Sequence, residues 1–591
     1  MALALIAPAD AAARDFAISS FDGTRIQAHF MPAPGGGRSP TVLYGPGWGN
    51  AGTTNEGRPT SEADGTIGIA ALRKAGYNVL TWDPRGFGAS GGEAKWDSPQ
   101  YEARDVQALL DALAGLPEAR LDGPGDPRVG MAGASYGGGI QWVTAAIDDR
   151  VEAIAPVVSW HSLVTSLYKG GVFKAGWGSA LCGLGSVQGV STGLVNPAGV
   201  QTGSMDAHMY SICQSGLLTG RLAAGDRDWL ESRGPGVMWA DRVRTPTLVL
   251  GGTIDTLFTL AEATENYRVL RSNGVPARML WFCGGHGTCR TSRGPAAYWE
   301  AAILQWLDTY VKGDGSATGE PRFEWIDQQG DWHQASDYPL ADAGSLTATG
   351  SRTLQLVSGD AGSSGTATSA TPSASGIDLA IPAPDGRASL VGTPSLELTY
   401  RAQGTTAQAR AYAQIVDEDR DIVIGGQVTP LPLELNNQDH TLRVNLETLA
   451  YALSPASSLR LEIVPASNVY GNQRSNGRVE LKRIALTLPL GKDPGDGGST
   501  TPQRPGNDPC TPKLRPRSVK RRDNGRVRIR PRVRCGGARL HKRVKISDGR
   551  RSWSRRTGKA HVLRVRPKAR RLVVRFRHVG QRHKVRVPID G

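Results

Sequence analysis

Long apolar runs are missing from this chain of 591 residues. No stretch of about 18 consecutive apolar residues occurs, so the sequence predicts no membrane-spanning helix. Aromatic residues are sparse at 6%, while 75 Gly and 37 Pro interrupt the chain too often for a coiled coil and point to a loop-rich, strand-containing protein. No repeat period is visible. Acidic residues are nearly absent from one region. Thr511 to Gly591 holds 30 Lys and Arg against three acids, Asp523, Asp548 and Asp590, a local net of +27. The remainder holds 39 Lys and Arg against 51 acids, a net of −12, so the overall +15 conceals an acidic body and a strongly basic tail.

Cysteine is also scarce. Six residues fall in three local pairs, Cys182 with Cys213, Cys283 with Cys289, and Cys510 with Cys535. An even number in neighbouring pairs reads as three disulfides in an oxidising compartment, the alternative being six buried thiols packed as small apolar residues. Residues 1–13, MALALIAPADAAA, hold a short apolar run and an A-x-A-like site before Arg14, which reads as the remnant of a secretory signal without its basic region. A secreted or envelope-associated protein is therefore expected.

One hydrophobic core stops growing at roughly 250 to 300 residues, so two or three domains are expected. Six apolar runs, at 41–47, 77–83, 128–133, 151–158, 245–252 and 277–285, are bounded by Gly, Pro and Asp and are too apolar for surface strands. Helical spacing at 63–75, 99–115, 137–149, 259–273 and 295–312 alternates with them, which predicts a doubly wound, mostly parallel sheet over residues 14–315. One connection, residues 160–244, is too long for a simple crossover and reads as a largely helical cap pinned by Cys182 and Cys213. From 316 to 490 short alternating strands recur, the pattern of a β-sandwich of jelly-roll type. Residues 491–509 read as a disordered linker, and 510–591 as a small basic β module closed by Cys510 and Cys535.

The clearest chemical signal is VGMAGASYGGG, where Gly133-x-Ser135-x-Gly137 lies between a predicted strand and a predicted helix. Small residues two before and two after a serine permit the tight turn that lifts its hydroxyl clear of a sheet, at the positive end of the following helix. Such an elbow needs an acid and then a histidine later in the chain. Asp255, after the strand-like TPTLVLGG, and His286, after the last core run, stand in that order. The stretch WFCGGHGTCR raises a second reading of His286, because Cys283-x-x-His286-x-x-Cys289 could be a metal knot. Zinc would need a further ligand and would consume the histidine placed to complete the Ser135, Asp255, His286 set, whereas a disulfide would hold that histidine's loop in register. No metal and no cofactor is expected. The backbone amide of Tyr136, and that of Gly47 or Trp48 in YGPGWGN, are the expected oxyanion donors.

Taken with TWDPRGFGASGGE, GGTIDTLF and GGHG, the motif DPRVGMAGASYGGGIQW resembles the superfamily of Xaa-Pro dipeptidyl-peptidases, cocaine esterases and α-amino-acid ester hydrolases. The resemblance covers about residues 16 to 490, with QQGDWHQASDYP similar to the junction before that group's C-terminal jelly roll. It implies an α/β-hydrolase fold, Ser135, Asp255 and His286 as a catalytic triad, and acyl-enzyme chemistry on a small peptide or ester. Members of the cocaine-esterase type carry a tyrosine donor in the early loop where this chain has Gly47 and Trp48, with Tyr44 falling inside the preceding strand. In the cap, His161, His208, Asp226 and Asp228 read as solvated polar positions rather than ligands for a substrate amine. The basic tail has few aromatics and no nucleic-acid motif, so its expected partner is an anionic cell-wall polymer or a phospholipid surface. The rival reading, from another class, is a non-catalytic surface-binding protein on a hydrolase scaffold.

Overall fold

Strands that are apolar at every position must be covered on both faces. In the computed structural model, which describes residues 12–195, 205–295, 297–313, 321–360, 366–492 and separate stretches between 513 and 590, the six apolar runs are strands of one sheet. Its strands are β1 (Arg14–Ser19), β2 (Arg25–Met31), β3 (Thr41–Gly45), β4 (Asn78–Trp82), β5 (Val129–Ala134), β6 (Val151–Val157), β7 (Thr247–Gly252), β8 (Ala277–Phe282), β9 (Phe323–Ile326) and β10 (Trp332–Ala335). Their spatial order is β1-β2-β4-β3-β5-β6-β7-β8-β9-β10. From β4 to β9 all neighbours are parallel, and antiparallel strands finish both edges.

Alternation along each strand divides the core between two faces. Leu43, Leu80, Met131 and Met279 point to one side, against α2 (Glu102–Ala114), α3 (Tyr136–Ala145) and α9 (Leu260–Ser272). Val42, Val79, Ala132 and Leu280 point to the other, against α1 (Ile69–Lys74) and α10 (Ala297–Leu307). The fold is thus the expected doubly wound one. Helix α1 is shorter than the 63–75 pattern suggested because Gly65 takes φ +72° and the backbone of Arg58–Thr60 crowds Gly68.

Residues 321–335 depart from expectation. Read as the start of the sandwich, they instead supply β9, parallel to β8, and the antiparallel edge strand β10 to the first sheet. Phe323 and Trp325 are fully buried there, Phe323 edge-on to Trp281 of β8. FEWI lay in the stretch read as strand-rich sandwich, but which sheet it joins is a tertiary choice.

Between β6 and β7 lie α4 (Leu163–Leu167), α5 (Ala175–Val195), α6 (Ala207–Thr219), α7 (Ala224–Glu231) and α8 (Gly236–Trp239). A disulfide, Cys182 to Cys213, joins α5 to α6. Asp206 caps α6 by accepting from the His208 amide at 2.9 Å, and Gly220 ends it in the left-handed conformation. The sandwich that follows is antiparallel: β11 (Asp342–Leu356), β12 (Ile377–Ile381), β13 (Ala388–Gly392), β14 (Ser395–Asp417), β15 (Ile422–Val423), β16 (Thr429–Asn445), β17 (Leu449–Leu453), β18 (Leu459–Val464) and β19 (Gly477–Gly491). Its 23-residue β14 pairs with β16 along most of its length, switching its other partner from β19 to β18. Sheet, cap and sandwich form one compact unit, Met1–Ser499, and Thr500–Gly591 forms a second.

The second unit, taken by itself, is β-structured, with Arg543–Ser547, Ser552–Arg556, Arg571–His578 and Gln581–Asp590 in antiparallel succession. Its core is small and aliphatic, including Val527, Ile546, Leu572 and Val587. Most of the expected signal remnant, the linker after Lys492 and the Cys510–Cys535 pairing lie outside the described residues. Among the described residues no helix is long and apolar enough to cross a membrane.

Candidate active site

Between β5 and α3 the chain turns at Ser135 with φ 58° and ψ −119°, a conformation costing a non-glycine residue of order 1–3 kcal/mol. The neighbours make it possible. A Cβ on Gly133, at φ +147°, would lie 2.7 Å from the carbonyl oxygens of both Gly45 and Gly137. The Ser135 amide donates to the Val157 carbonyl at 2.9 Å, and the Ser135 carbonyl accepts from the Gly138 and Gly139 amides, locking the turn onto β6 and into the first turn of α3.

Asp255 and His286 follow β7 and β8 and meet at the same sheet rim. His286 Nδ1 is 2.7 Å from Asp255 Oδ2, and His286 Nε2 is 2.8 Å from Ser135 Oγ. The carboxylate is fully buried and fully used: Oδ1 accepts from the Leu257 and Phe258 amides at 2.9 and 3.0 Å, and Oδ2 also accepts from the His286 amide at 3.1 Å. Those bonds fix its orientation and require a proton on Nδ1, leaving Nε2 free to accept from the serine hydroxyl. The three residues singled out in the sequence are therefore brought into one hydrogen-bonded chain.

Cys283 and Cys289 are joined to each other, with Cα atoms 5.5 Å apart, so the loop carrying His286 is closed at its base by a disulfide. Trp177 of α5 and Phe258 set their rings edge-on to the imidazole at 5.7 and 5.2 Å. Trp48, named for its amide, also packs its ring on Tyr136 at 5.2 Å, while the Tyr136 hydroxyl donates to Glu102 at 3.2 Å. The loop of Gly47 and Trp48 leaves β3 next to the elbow, since a Cβ on Gly137 would lie 3.0 Å from the Pro46 carbonyl. Tyr44 points away from it, donating to the Ile67 carbonyl at 3.0 Å.

The motif DPRGFGAS is structural in this chain. Asp83 accepts from the Gly52 and Ala89 amides at 2.8 and 2.7 Å, Arg85 forks onto Asp105 at 2.7 and 2.6 Å, and Ser90 donates to the Asp83 carbonyl at 2.6 Å. The folded loop seats Phe87 edge-on to Trp48 at 4.9 Å, beneath the aromatic wall. The four polar cap residues are not gathered at the serine. Two of them correct the solvated reading. His161 is buried with Nδ1 2.8 Å from Asn266 Oδ1, and Asp226 is buried and accepts from Ser211 at 2.8 Å. His208 stacks on Trp229 and lies 3.0 Å from Asp206, and Asp228 is exposed beside Arg227.

Three contributors were not read from the sequence. Lys174 is buried and donates from Nζ to the Thr256 carbonyl at 2.7 Å; burial pushes its amine down to about 8, with Glu447, Glu262 and Asp255 opposing the shift and Lys169 adding to it. Trp177 donates to Thr256 Oγ1 at 2.9 Å. Gln427, from the sandwich, donates to the Asp255 carbonyl at 2.8 Å. The helical spacing of Phe173 and Trp177 in GGVFKAGWG was a faint signal of an inward face; for Gln427 there was none.

Comparison with known proteins agrees with the resemblance. Residues 22–288, under half of the chain, match the model of the X-Pro dipeptidyl-peptidase (S15) family. Similar solved structures include a CocE/NonD family hydrolase from Staphylococcus aureus (13% identity, 83% of this chain and 99% of that one, TM-score 0.54). An aminopeptidase from a marine-sediment archaeon of the Thaumarchaeota has 13% identity over 81% of this chain and 96% of its own, with TM-score 0.60. An α-amino acid ester hydrolase has 12% identity, the same two coverages and TM-score 0.58. No curated protein matches. At such identities the structures establish the fold alone, an α/β hydrolase sheet followed by an antiparallel sandwich, while the family match supports an enzyme of the serine-hydrolase kind.

Proposed function

We propose that this chain is a secreted serine hydrolase of the X-Pro dipeptidyl-peptidase type, working through an acyl-enzyme. The observation that carries the reading is the unbroken chain from Ser135 Oγ through His286 to the buried Asp255, at 2.8 and 2.7 Å. In the reaction, His286 Nε2 takes the Ser135 proton as Oγ bonds to the substrate carbonyl carbon, and the carbonyl π electrons move onto oxygen. The oxyanion accepts from the Tyr136 amide and from that of Gly47 or Trp48. Collapse breaks the bond to the leaving nitrogen or oxygen, which takes the proton from the imidazolium. Water, deprotonated by the same imidazole, then releases the acid and restores Ser135. Asp255 holds the tautomer and balances the transient positive charge.

The same groups would open an ester, and the ester-hydrolase neighbour keeps that second reading in view. A fluorophosphonate probe tests the class: labelling at Ser135, absent in Ser135→Ala, is expected, and no labelling would favour the non-catalytic scaffold. Hydrolysis of a Gly-Pro anilide, measured against short-chain nitrophenyl esters with Ser135→Ala as the blank, separates peptidase from esterase. The disulfides accord with an exported protein. For the C-terminal unit, with its local net of +27, the proposed role is attachment to an anionic envelope surface.

A further inference from the structure

We infer that the sandwich is a working part of this site, and that Gln427 is a positioning residue for Asp255. The inference rests on the reading of Asp255 as the acid of the triad. That carboxylate is bonded to the amides of its own turn, at Leu257 and Phe258, so it moves as one piece with the backbone around it. What holds that backbone comes largely from outside the sheet. Gln427, buried at the end of a turn through Gly425 and Gly426, donates from Nε2 to the Asp255 carbonyl at 2.8 Å. Thr256 Oγ1 donates to the carbonyl of Thr368 at 2.5 Å, another sandwich residue. These two sandwich segments are tied to each other, since the Ala370 amide donates to the Gly426 carbonyl at 3.0 Å.

The approach is close as well as bonded. A Cβ on Gly425 would lie 2.7 Å from the Thr253 carbonyl, and φ +66° suits that position to glycine. The route of control runs from the Gln427 amide to the Asp255 backbone, from there to the carboxylate, and on to the imidazole that faces Ser135. The links are hydrogen bonds: one from Gln427 at 2.8 Å, two between the carboxylate and its own turn at 2.9 and 3.0 Å, two between the carboxylate and His286 at 2.7 and 3.1 Å, and one between His286 and Ser135 at 2.8 Å. Gln427 touches neither substrate nor the reacting atoms; it acts through Asp255. Displacement of a catalytic group by about 1 Å can lower turnover on the order of a hundredfold, so loss of this anchor belongs in kcat rather than in KM.

The test compares the full-length protein with Gln427→Met, which keeps the volume and removes the donor. Gln473→Met is the control, because Gln473 is another buried sandwich amide, donating to the Arg410 and Pro465 carbonyls at 2.8 and 2.6 Å, neither of them in the segments tied to the acid turn. The readouts are the fluorophosphonate labelling rate, kcat and KM on whichever model substrate is turned over, and the melting temperature. Gln427→Met is expected to lose roughly tenfold to a hundredfold in labelling rate and kcat, with KM within about twofold. Gln473→Met should melt earlier yet keep the wild-type rate. Should Gln427→Met fail to fold, Gln427→Asn, which draws the amide back by one methylene, is expected to show the same split. Wild-type labelling in the folded Gln427 variant, or equal losses in both variants, overturns the inference while leaving the triad standing. A wild-type protein that does not label overturns the triad and this inference together.

Discussion

A methyl group on Gly137 would lie 2.1 Å from the carbonyl oxygen of Gly45. The tip of β3 and the first turn of α3 thus cross backbone to backbone, with no flexible side chain between them to give way. Gly137→Ala must push the strand end and the elbow apart, at about 1–3 kcal/mol or more for overpacking, and it displaces Ser135 in doing so. The expected outcome is a variant with a lower melting temperature and fluorophosphonate labelling reduced at least roughly a hundredfold. Near-normal labelling would mean that the elbow is more pliant than its contacts imply.

Asp255→Asn tests the acid without changing its shape. Four N–H groups point at this carboxylate, from Leu257, Phe258 and twice from His286. An amide in its place must turn its NH2 toward donors on one side, so His286 loses its tautomer or the turn loses a bond. A fall in kcat of about four orders of magnitude is expected, with the fold kept. Loss of less than about tenfold, measured in the same assay as Ser135→Ala, would remove Asp255 from the triad.

The elbow was legible because its cause is local: Gly133 and Gly137 flank Ser135 where an apolar run meets a helical one. Asp255 and His286 were legible from chain order and from their places after core strands. Gln427 was not, because the bond to Asp255 spans 172 positions and exists only once sandwich and sheet have docked. Lys174 was missed for a related reason. A lone lysine in a Gly-rich stretch reads as solvated, and only the packing of Phe173 and Trp177 carries it inside. FEWI at β9 shows the same limit, since it lay in the stretch read as sandwich while its partner, β8 of the other sheet, is set only by tertiary packing.

The Cys283–Cys289 disulfide closes a loop of few residues, so the chain-entropy argument assigns it about 2 kcal/mol, less than the about 4 kcal/mol for Cys182–Cys213. Its functional weight should be the larger, because His286 lies within the loop it closes. Replacing Cys283 and Cys289 by Ser is expected to lower the labelling rate well beyond what its melting shift explains. The Cys182, Cys213 pair, treated alike, should lose more in melting temperature and less in rate. Unfolding curves and labelling time courses on the two double variants decide between them, and the reverse ranking would make the histidine loop self-supporting.

Removing Thr500–Gly591 takes away a separate compact unit and leaves Met1–Ser499 with its own cores. The shortened protein is expected to keep its labelling rate within about twofold and to lose most of its retention on anionic envelope preparations at low salt. Adding salt should release the full-length protein, since screening at about 0.15 M ionic strength already limits surface attraction to roughly 8 Å. Undiminished retention of the shortened protein would remove the attachment role.

Lys174 should give the protein a distinctive alkaline response. Its amine is buried under the acid turn and titrates at about 8, against 10.5 for an unhindered lysine. Below pH 8 both folded and unfolded chains hold the proton, and burying that charge opposes folding by up to about 3 kcal/mol. Between pH 8 and 10.5 the unfolded chain binds more protons than the folded one, so this group's contribution to stability rises with pH and levels off above that window. Lys174→Met removes the titration and leaves the Thr256 carbonyl without its amine donor at every pH, which is a constant offset. Urea unfolding of both proteins from pH 7 to 10.5 should therefore show the wild type gaining on the variant across the upper part of the range, by up to about 3 kcal/mol. Parallel stability curves would place the Lys174 amine in contact with water, and would take from the acid turn the charged anchor seen at 2.7 Å.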